Sequence, residues 1–154
     1  MRIIIVDDDP FVCISLKTIL QAEPGIEVCA SGSSGEEAVR LYEEIQPDIL
    51  LMDIQMGCCS GLDAGAEILE KHPDARILFL TTFSDDEYII RALRIGAKGY
   101  LIKQDIETIA PALRSVMSGQ SVFGSEIVTK IPKMMGKPQR TDLGKYGILD
   151  REMD

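Results

Sequence analysis

The sequence predicts an α/β protein built on a doubly wound, five-stranded parallel sheet, in the order 2-1-3-4-5, with five covering helices. Three observations carry this expectation. Short runs rich in Ile, Val and Leu alternate with segments whose apolar residues recur at helical spacing. Each strand–helix unit occupies about 20 to 25 residues, enough for a crossover connection between parallel strands. Acidic residues stand at the ends of two of the runs, as Asp7-Asp8-Asp9 after the first and Asp53 after the third.

The strands are expected over residues 2–6, 26–30, 48–52, 76–80 and 98–102. Their runs are nearly continuous, as for parallel strands covered on both faces. Between them, Val12, Leu16, Ile19 and Leu20 mark one amphipathic helix, and Ala38, Leu41, Tyr42 and Ile45 mark another. Ile106, Ile109 and Leu113 mark the last, with Pro111 expected near its start, where a missing N–H is tolerated. Ser34 with Glu37 and Ser84 with Glu87 form S-x-x-E capping boxes at two helix openings. The flavodoxin-like order 2-1-3-4-5 has a switch point between the first and third strands, and ligands bind there, beyond the carboxyl ends.

Composition narrows the function. The 154 residues are 45% hydrophobic and 5% aromatic, and no apolar run approaches the roughly 20 residues that span a bilayer. A cytoplasmic protein with no membrane partner is therefore expected. Residues 1–124 carry 10 Lys/Arg against 20 Asp/Glu, whereas residues 125–154 carry 6 against 5. So acidic a main domain has no electrostatic footprint for nucleic acid. Cys13, Cys29, Cys58 and Cys59 lack metal-type spacing, and the single His72 has no ligand partner near it in sequence. Cys13 and Cys29 read as core residues, and the vicinal Cys58 and Cys59 as loop residues or a redox pair.

The chemistry is written at the strand ends. The first strand exits into Asp7-Asp8-Asp9, and the third ends on Asp53. Carboxylates crowded at the edge of a low-dielectric sheet repel one another unless a cation neutralises them. With no thiolate or imidazole in the set, a hard ion such as Mg²⁺ fits, because it takes one or two carboxylates together with water and phosphoryl oxygens. The fourth strand runs into Thr81 and the fifth into Lys103, adding a hydroxyl and an ammonium at the same edge. Acids, hydroxyl and cation together describe a phosphoryl-transfer site. Taken singly, each has a plainer role: Asp9 as a helix cap, Thr81 as a β-former, Lys103 as a surface cation and Tyr100 as core.

Val6-Asp7-Asp8, Leu51-Met52-Asp53, Leu80-Thr81 and Gly99-Tyr100-Leu101-Ile102-Lys103 resemble, in this order and spacing, the landmarks of response-regulator receiver domains. The NarL/FixJ (LuxR-type) transcription regulators are resembled in Asp9-Pro10, in Gly96-Ala97-Lys98 and in Ala112-Leu113-Arg114-Ser115-Val116 before Gly119. The resemblance implies a two-component signalling switch and not an enzyme, apart from its own phosphoryl transfer and slow self-dephosphorylation. It makes Asp53 the phosphoacceptor, Asp8 and Asp53 direct Mg²⁺ ligands, Asp7 a ligand through water and Gln55 a ligand through its backbone carbonyl. Thr81 and Lys103 then hold phosphoryl oxygens, and Tyr100 occupies the aromatic switch position. A sensor histidine kinase is the implied phosphodonor, and a homodimer the implied phosphorylated form.

Two departures concern loops. Gly57 stands where these domains usually have proline, and Gln104 follows the lysine where many have proline. The receiver is expected over 1–122, with a helix fragment and linker over 123–147. Residues 148–154, which include Ile148-Leu149-Asp150-Arg151-Glu152, resemble the opening of a LuxR-type helix-turn-helix domain, with Leu149 in place of a hydroxyl residue. DNA binding for transcription regulation would then require a domain that this chain lacks; a plain flexible terminus is the alternative.

Other functions compete. A stand-alone receiver would signal by protein contact alone. An aspartyl-nucleophile phosphatase of the haloacid-dehalogenase kind needs D-x-D-x-T on the first strand, and Asp7-Asp8-Asp9-Pro10-Phe11 lacks the threonine. A flavodoxin-type cofactor site would place phosphate against three carboxylates. The resemblance to receiver domains implies that Phe83, two residues after Thr81, and Gln55, two after Asp53, tune water access to a phosphorylated Asp53.

Overall fold

The computed structural model describes residues 1–56, 59–82, 85–104 and 106–123. Five long elements form one parallel sheet: β1 (Arg2–Val6), β2 (Glu27–Gly32), β3 (Ile49–Asp53), β4 (Ile77–Thr81) and β5 (Gly99–Ile102). A sixth, β6 (Val122–Phe123), joins the edge, and the order is β2-β1-β3-β4-β5-β6. The expected order 2-1-3-4-5 is thus present, with one short strand more than expected. Two residues carry too little periodicity to be read as a strand; Val122 N–H is held there by the Lys98 carbonyl at 2.8 Å. Gln55–Met56 and Cys59–Ser60 pair separately as a small antiparallel ribbon.

The helices are α1 (Pro10–Gln21), α2 (Gly35–Ile45), α3 (Gly61–Lys71), α4 (Asp86–Ile95) and α5 (Ile109–Met117). Asp9 caps α1 by accepting from Phe11 N–H at 2.9 Å, with Pro10 in the first helical position. Ser34 caps α2 as expected, accepting from Glu37 N–H at 3.1 Å, while the Glu37 carboxylate returns to Ser33. The expected Ser84 cap is corrected: α4 opens one residue later, where Asp85 accepts from both Glu87 and Tyr88 N–H. Aspartate has the same short acceptor as serine, so local pattern alone does not choose between neighbours. Pro111 lies in the first turn of α5, behind a single 3₁₀ turn at Ile106–Thr108.

Strands two to five each begin one residue later than expected, because the boundary residues Ile26, Asp48, Arg76 and Lys98 lie outside the ladders. β3 and β4 are buried along their whole length, the sheet's centre. Alternate residues divide the core. Ile3, Ile5, Leu51, Leu78, Leu80 and Leu101 pack with Leu16 and Leu20 of α1 and with Leu113 and Val116 of α5. Ile4, Leu50, Met52 and Phe79 fill the opposite layer. Ile19 and Ile106, assigned to apolar stripes, are 38% and 39% exposed; helical spacing names a stripe wider than the face the sheet covers. Among the described residues no helix is long and apolar enough to cross a membrane.

The chain leaves β3 and enters α3 at a point of close approach. Gly61 N–H donates to the Ile54 carbonyl at 2.6 Å, and a Cβ on Gly61 would lie 2.0 Å from the Asp53 carbonyl oxygen. Only glycine lets the turn pass this near the end of β3. Gly61→Ala is expected to lower the unfolding free energy by about 1–3 kcal/mol through overpacking, measured by urea denaturation. An unchanged urea midpoint would show that the turn can move aside freely.

Candidate acidic site at the strand ends

The parallel ladder brings the carboxyl ends of β1, β3, β4 and β5 to one edge, and their next residues supply the site. Asp7 follows β1, Asp53 ends β3, Thr81 ends β4 and Lys103 follows β5. Asp7, Asp53 and Thr81 are almost fully buried, at 1%, 4% and 1% exposed, while Asp8 stands at the surface. One carboxylate oxygen from each of Asp7, Asp8 and Asp53 lies within 4.8 Å of the other two. The structure therefore gathers the three acids that the sequence singled out for a metal.

Lys103 reaches into this cluster. Its Nζ lies 2.7 Å from Asp7 Oδ2 and 3.2 Å from Asp53 Oδ2, and its backbone N–H donates to the Thr81 carbonyl at 2.7 Å. Asp7 Oδ1 accepts from Asp9 N–H at 2.9 Å, and Asp53 Oδ1 accepts from Gln55 N–H at 3.4 Å. Burial pushes the Asp53 carboxyl up to about 6, the neighbouring Asp7 adds to the rise, and Lys103 offsets part of it. Burial works against the Lys103 ammonium too, but its bonds with Asp7 and Asp53 hold its pKa above the ordinary range. One ammonium faces three carboxylates here. Further positive charge would relieve the excess, and an all-oxygen donor set suits a hard divalent cation.

Tyr100 is wholly buried in β5. Burial raises its phenol to about 12, partly offset by the Asp85 backbone and the Thr81 side chain beside it. Its ring thus lies inward, next to the hydroxyl at the end of β4. Gln55 is exposed, and its side-chain Nε2 donates to Tyr88 Oη of α4 at 3.3 Å. Sequence reasoning missed Tyr88, because nothing local marks a partner 33 residues away. It also missed an apolar cavity of about 220 Å³ beside Lys103, walled by Phe11, Val12, Leu16, Leu80, Ile106 and Ile109. Phe83, Gly57, Cys58 and the chain beyond Phe123 lie outside the described residues, as does the side chain of Cys59.

Cys13 and Cys29 are only partly buried, and Cys13 packs against the edge of the core. The Cys13 thiol points to the Asp7 carbonyl at 3.4 Å, and burial followed by the Asp7 charge pushes its pKa up. A thiol so held stays protonated, which does not suit a nucleophile or a metal ligand. His72 pairs with Glu43 at 2.8 Å, far in sequence, joining the ends of α3 and α2.

The Asp53 shift has a thermodynamic sign. The native state holds the proton more tightly than the unfolded chain, so the stabilisation is complete below pH 3.8 and is lost as pH rises through about 6. The difference amounts to about 3 kcal/mol at most. In buffer free of divalent ions, Asp53→Asn is expected to be more stable than the wild type at pH 7.5 and to lose that advantage at pH 4. Thermal denaturation at the two pH values measures it, and equal advantages at both would contradict the raised carboxyl.

The family model for the response regulator receiver domain matches residues 3–114. The response regulator protein VraR of Staphylococcus aureus is 34% identical over 155 residues, covering 100% of this chain and 73% of its own. The transcriptional regulatory protein YxjL of Bacillus subtilis is 33% identical over 132 residues, covering 85% of this chain. This chain spans only 61% of the length of YxjL. Among solved structures, a LuxR-family two-component response regulator from Aurantimonas sp. SI85-9A1 superposes with a TM-score of 0.81 at 31% identity, covering 86% of this chain and 95% of that one. With the fold, the acidic edge and these relatives in agreement, the chain belongs to the response regulator receiver-domain family.

Proposed function

We propose that the acidic edge is a Mg²⁺-dependent phosphoacceptor site, with Asp53 receiving the phosphoryl group from a sensor histidine kinase. The observation that carries the reading is the meeting of Asp7, Asp8 and Asp53 around the Lys103 ammonium. A carboxylate oxygen of Asp53 would attack phosphorus, the P–N bond of a phosphohistidine would break, and the imidazole would keep the electron pair and take up a proton. Lys103 and Thr81 would bind the incoming oxygens, and Lys103 would exchange part of its contact with Asp53 for them. Asp8, Asp53 and the Gln55 carbonyl would hold Mg²⁺ directly, and Asp7 through water. When bound, Mg²⁺ supplies charge neutralisation of the phosphoryl oxygens and carboxylates.

The signal would pass through Thr81 to the buried Tyr100 and so to α4 and β5. Its output is read here as dimerisation and transcription control in the cytoplasm, through a DNA-binding domain of a longer protein. Three particulars support this: relatives that are transcriptional regulators, their greater length, and the Leu149-Asp150-Arg151-Glu152 segment of residues 148–154. On this reading residues 1–122 are the receiver and 123–147 a helix fragment and linker. A stand-alone receiver would share the chemistry and lack the DNA step.

Exposure to a small phosphodonor such as acetyl phosphate is expected to add one phosphoryl mass to the 154-residue chain with Mg²⁺ and none in excess chelator. Asp53→Asn should take up none. Intact-mass spectrometry reads both, and equal labelling of the variant would reject Asp53 as the acceptor.

A further inference from the structure

We infer that Tyr88 is a positioning residue which holds the Gln55 side chain across the mouth of the acidic site and so prolongs the life of a phosphoryl group on Asp53; this rests on the phosphoacceptor reading above. β3 and β4 are neighbours, with Asp53 paired to Leu80, so Asp53 and Thr81 end side by side. Gln55 lies two residues past the first of these ends, and Tyr88 lies in the first turn of the helix that follows the second. The 3.3 Å bond from Gln55 Nε2 to Tyr88 Oη is therefore a side-chain bridge from the segment that follows β3 to the first turn of α4, beyond β4.

The two partners are unequal. Tyr88 stands on a fixed base: its own N–H is bound by the Asp85 carboxylate, Ile89 beside it is wholly buried, and Arg91 pairs with Asp63 of α3. Gln55 is exposed, and an exposed glutamine samples many rotamers unless something holds it. The phenol is thus the anchor and the amide the restrained arm. The restraint matters because the Gln55 backbone N–H is bonded to Asp53 Oδ1.

Loss of the signal is a hydrolysis. Water attacks phosphorus in line with the bond to Asp53, the P–O bond to the carboxylate breaks, and Asp53 recovers the electron pair. The water proton goes to solvent, and inorganic phosphate leaves. An arm held across the mouth obstructs the attacking water, whereas a released amide can turn its carbonyl to orient one. Removing only the phenol oxygen should therefore speed hydrolysis by about two- to ten-fold, the factor one neutral hydrogen bond is worth.

The experiment follows phosphoryl loss by intact mass after removal of acetyl phosphate, at one saturating Mg²⁺ concentration. It compares the wild type, Tyr88→Phe, Gln55→Leu and the double variant. Tyr88→Phe is expected to lose phosphate faster by that factor, with unchanged melting temperature and Mg²⁺ affinity. In the Gln55→Leu background the same substitution should have no effect, because no amide remains to be held. Equal decay of wild type and Tyr88→Phe overturns the inference, as does equal acceleration in both backgrounds. A wild type that takes up no phosphoryl group overturns the phosphoacceptor reading and this inference together; a labelled wild type with equal decay overturns this inference alone.

Discussion

One ammonium lying between two buried carboxylates organises this molecule. Lys103 Nζ is within 3.2 Å of both Asp7 and Asp53, and those acids sit at the ends of adjacent strands where solvent screening is weak. Without Lys103 the pair would face each other with uncompensated charge, at a cost of several kcal/mol. With it, Asp53 is still displaced to about 6, so the site is compensated only in part. That residual deficit makes the edge receptive to a further cation, and it follows from the placement of three strands.

The placement depends on apolar packing and on backbone bonds that leave little slack. β1 and β3 are buried on both faces, so their carboxyl ends cannot shift without disturbing both core layers. Lys103 N–H is fixed to the Thr81 carbonyl, Asp7 N–H to the Gly32 carbonyl at 3.0 Å, and Ile54 N–H to the Leu80 carbonyl at 3.1 Å. Each bond ties a site residue, or its neighbour, to the adjacent strand. The loop past Asp53 is narrowed further by Gly61, where any side chain would meet the strand it has just left. The site is buried at Asp7, Asp53 and Thr81 and exposed to solvent at Asp8 and Gln55.

Much of this was legible in sequence because the signals are local and repeated. Continuous runs such as Ile3-Ile4-Ile5-Val6 and Ile49-Leu50-Leu51-Met52 suit only strands covered on both faces, and the order of strands then fixes which ends meet. That pattern alone puts Asp7, Asp8, Asp53, Thr81 and Lys103 at one edge. Features that depend on a distant partner were not legible. The bridge from Gln55 to Tyr88 joins residues with no shared pattern, and β6 is two residues whose pairing is set by β5. Ile19 carries the right spacing but lies at the edge of the covered face. Between Ser84 and Asp85, two capping residues side by side, only the backbone path decides.

The central claim, that Asp53 is a buried and only partly compensated carboxylate awaiting a cation, is tested most directly by its own titration. Carbon-detected NMR of the Asp53 side-chain carboxyl, assigned by comparison with Asp53→Asn, gives the midpoint without intermediary. The account expects a midpoint near 6 in metal-free buffer, falling by more than about one pH unit on saturation with Mg²⁺. A midpoint at the ordinary 3.8 in metal-free buffer, or one that Mg²⁺ leaves in place, would contradict it.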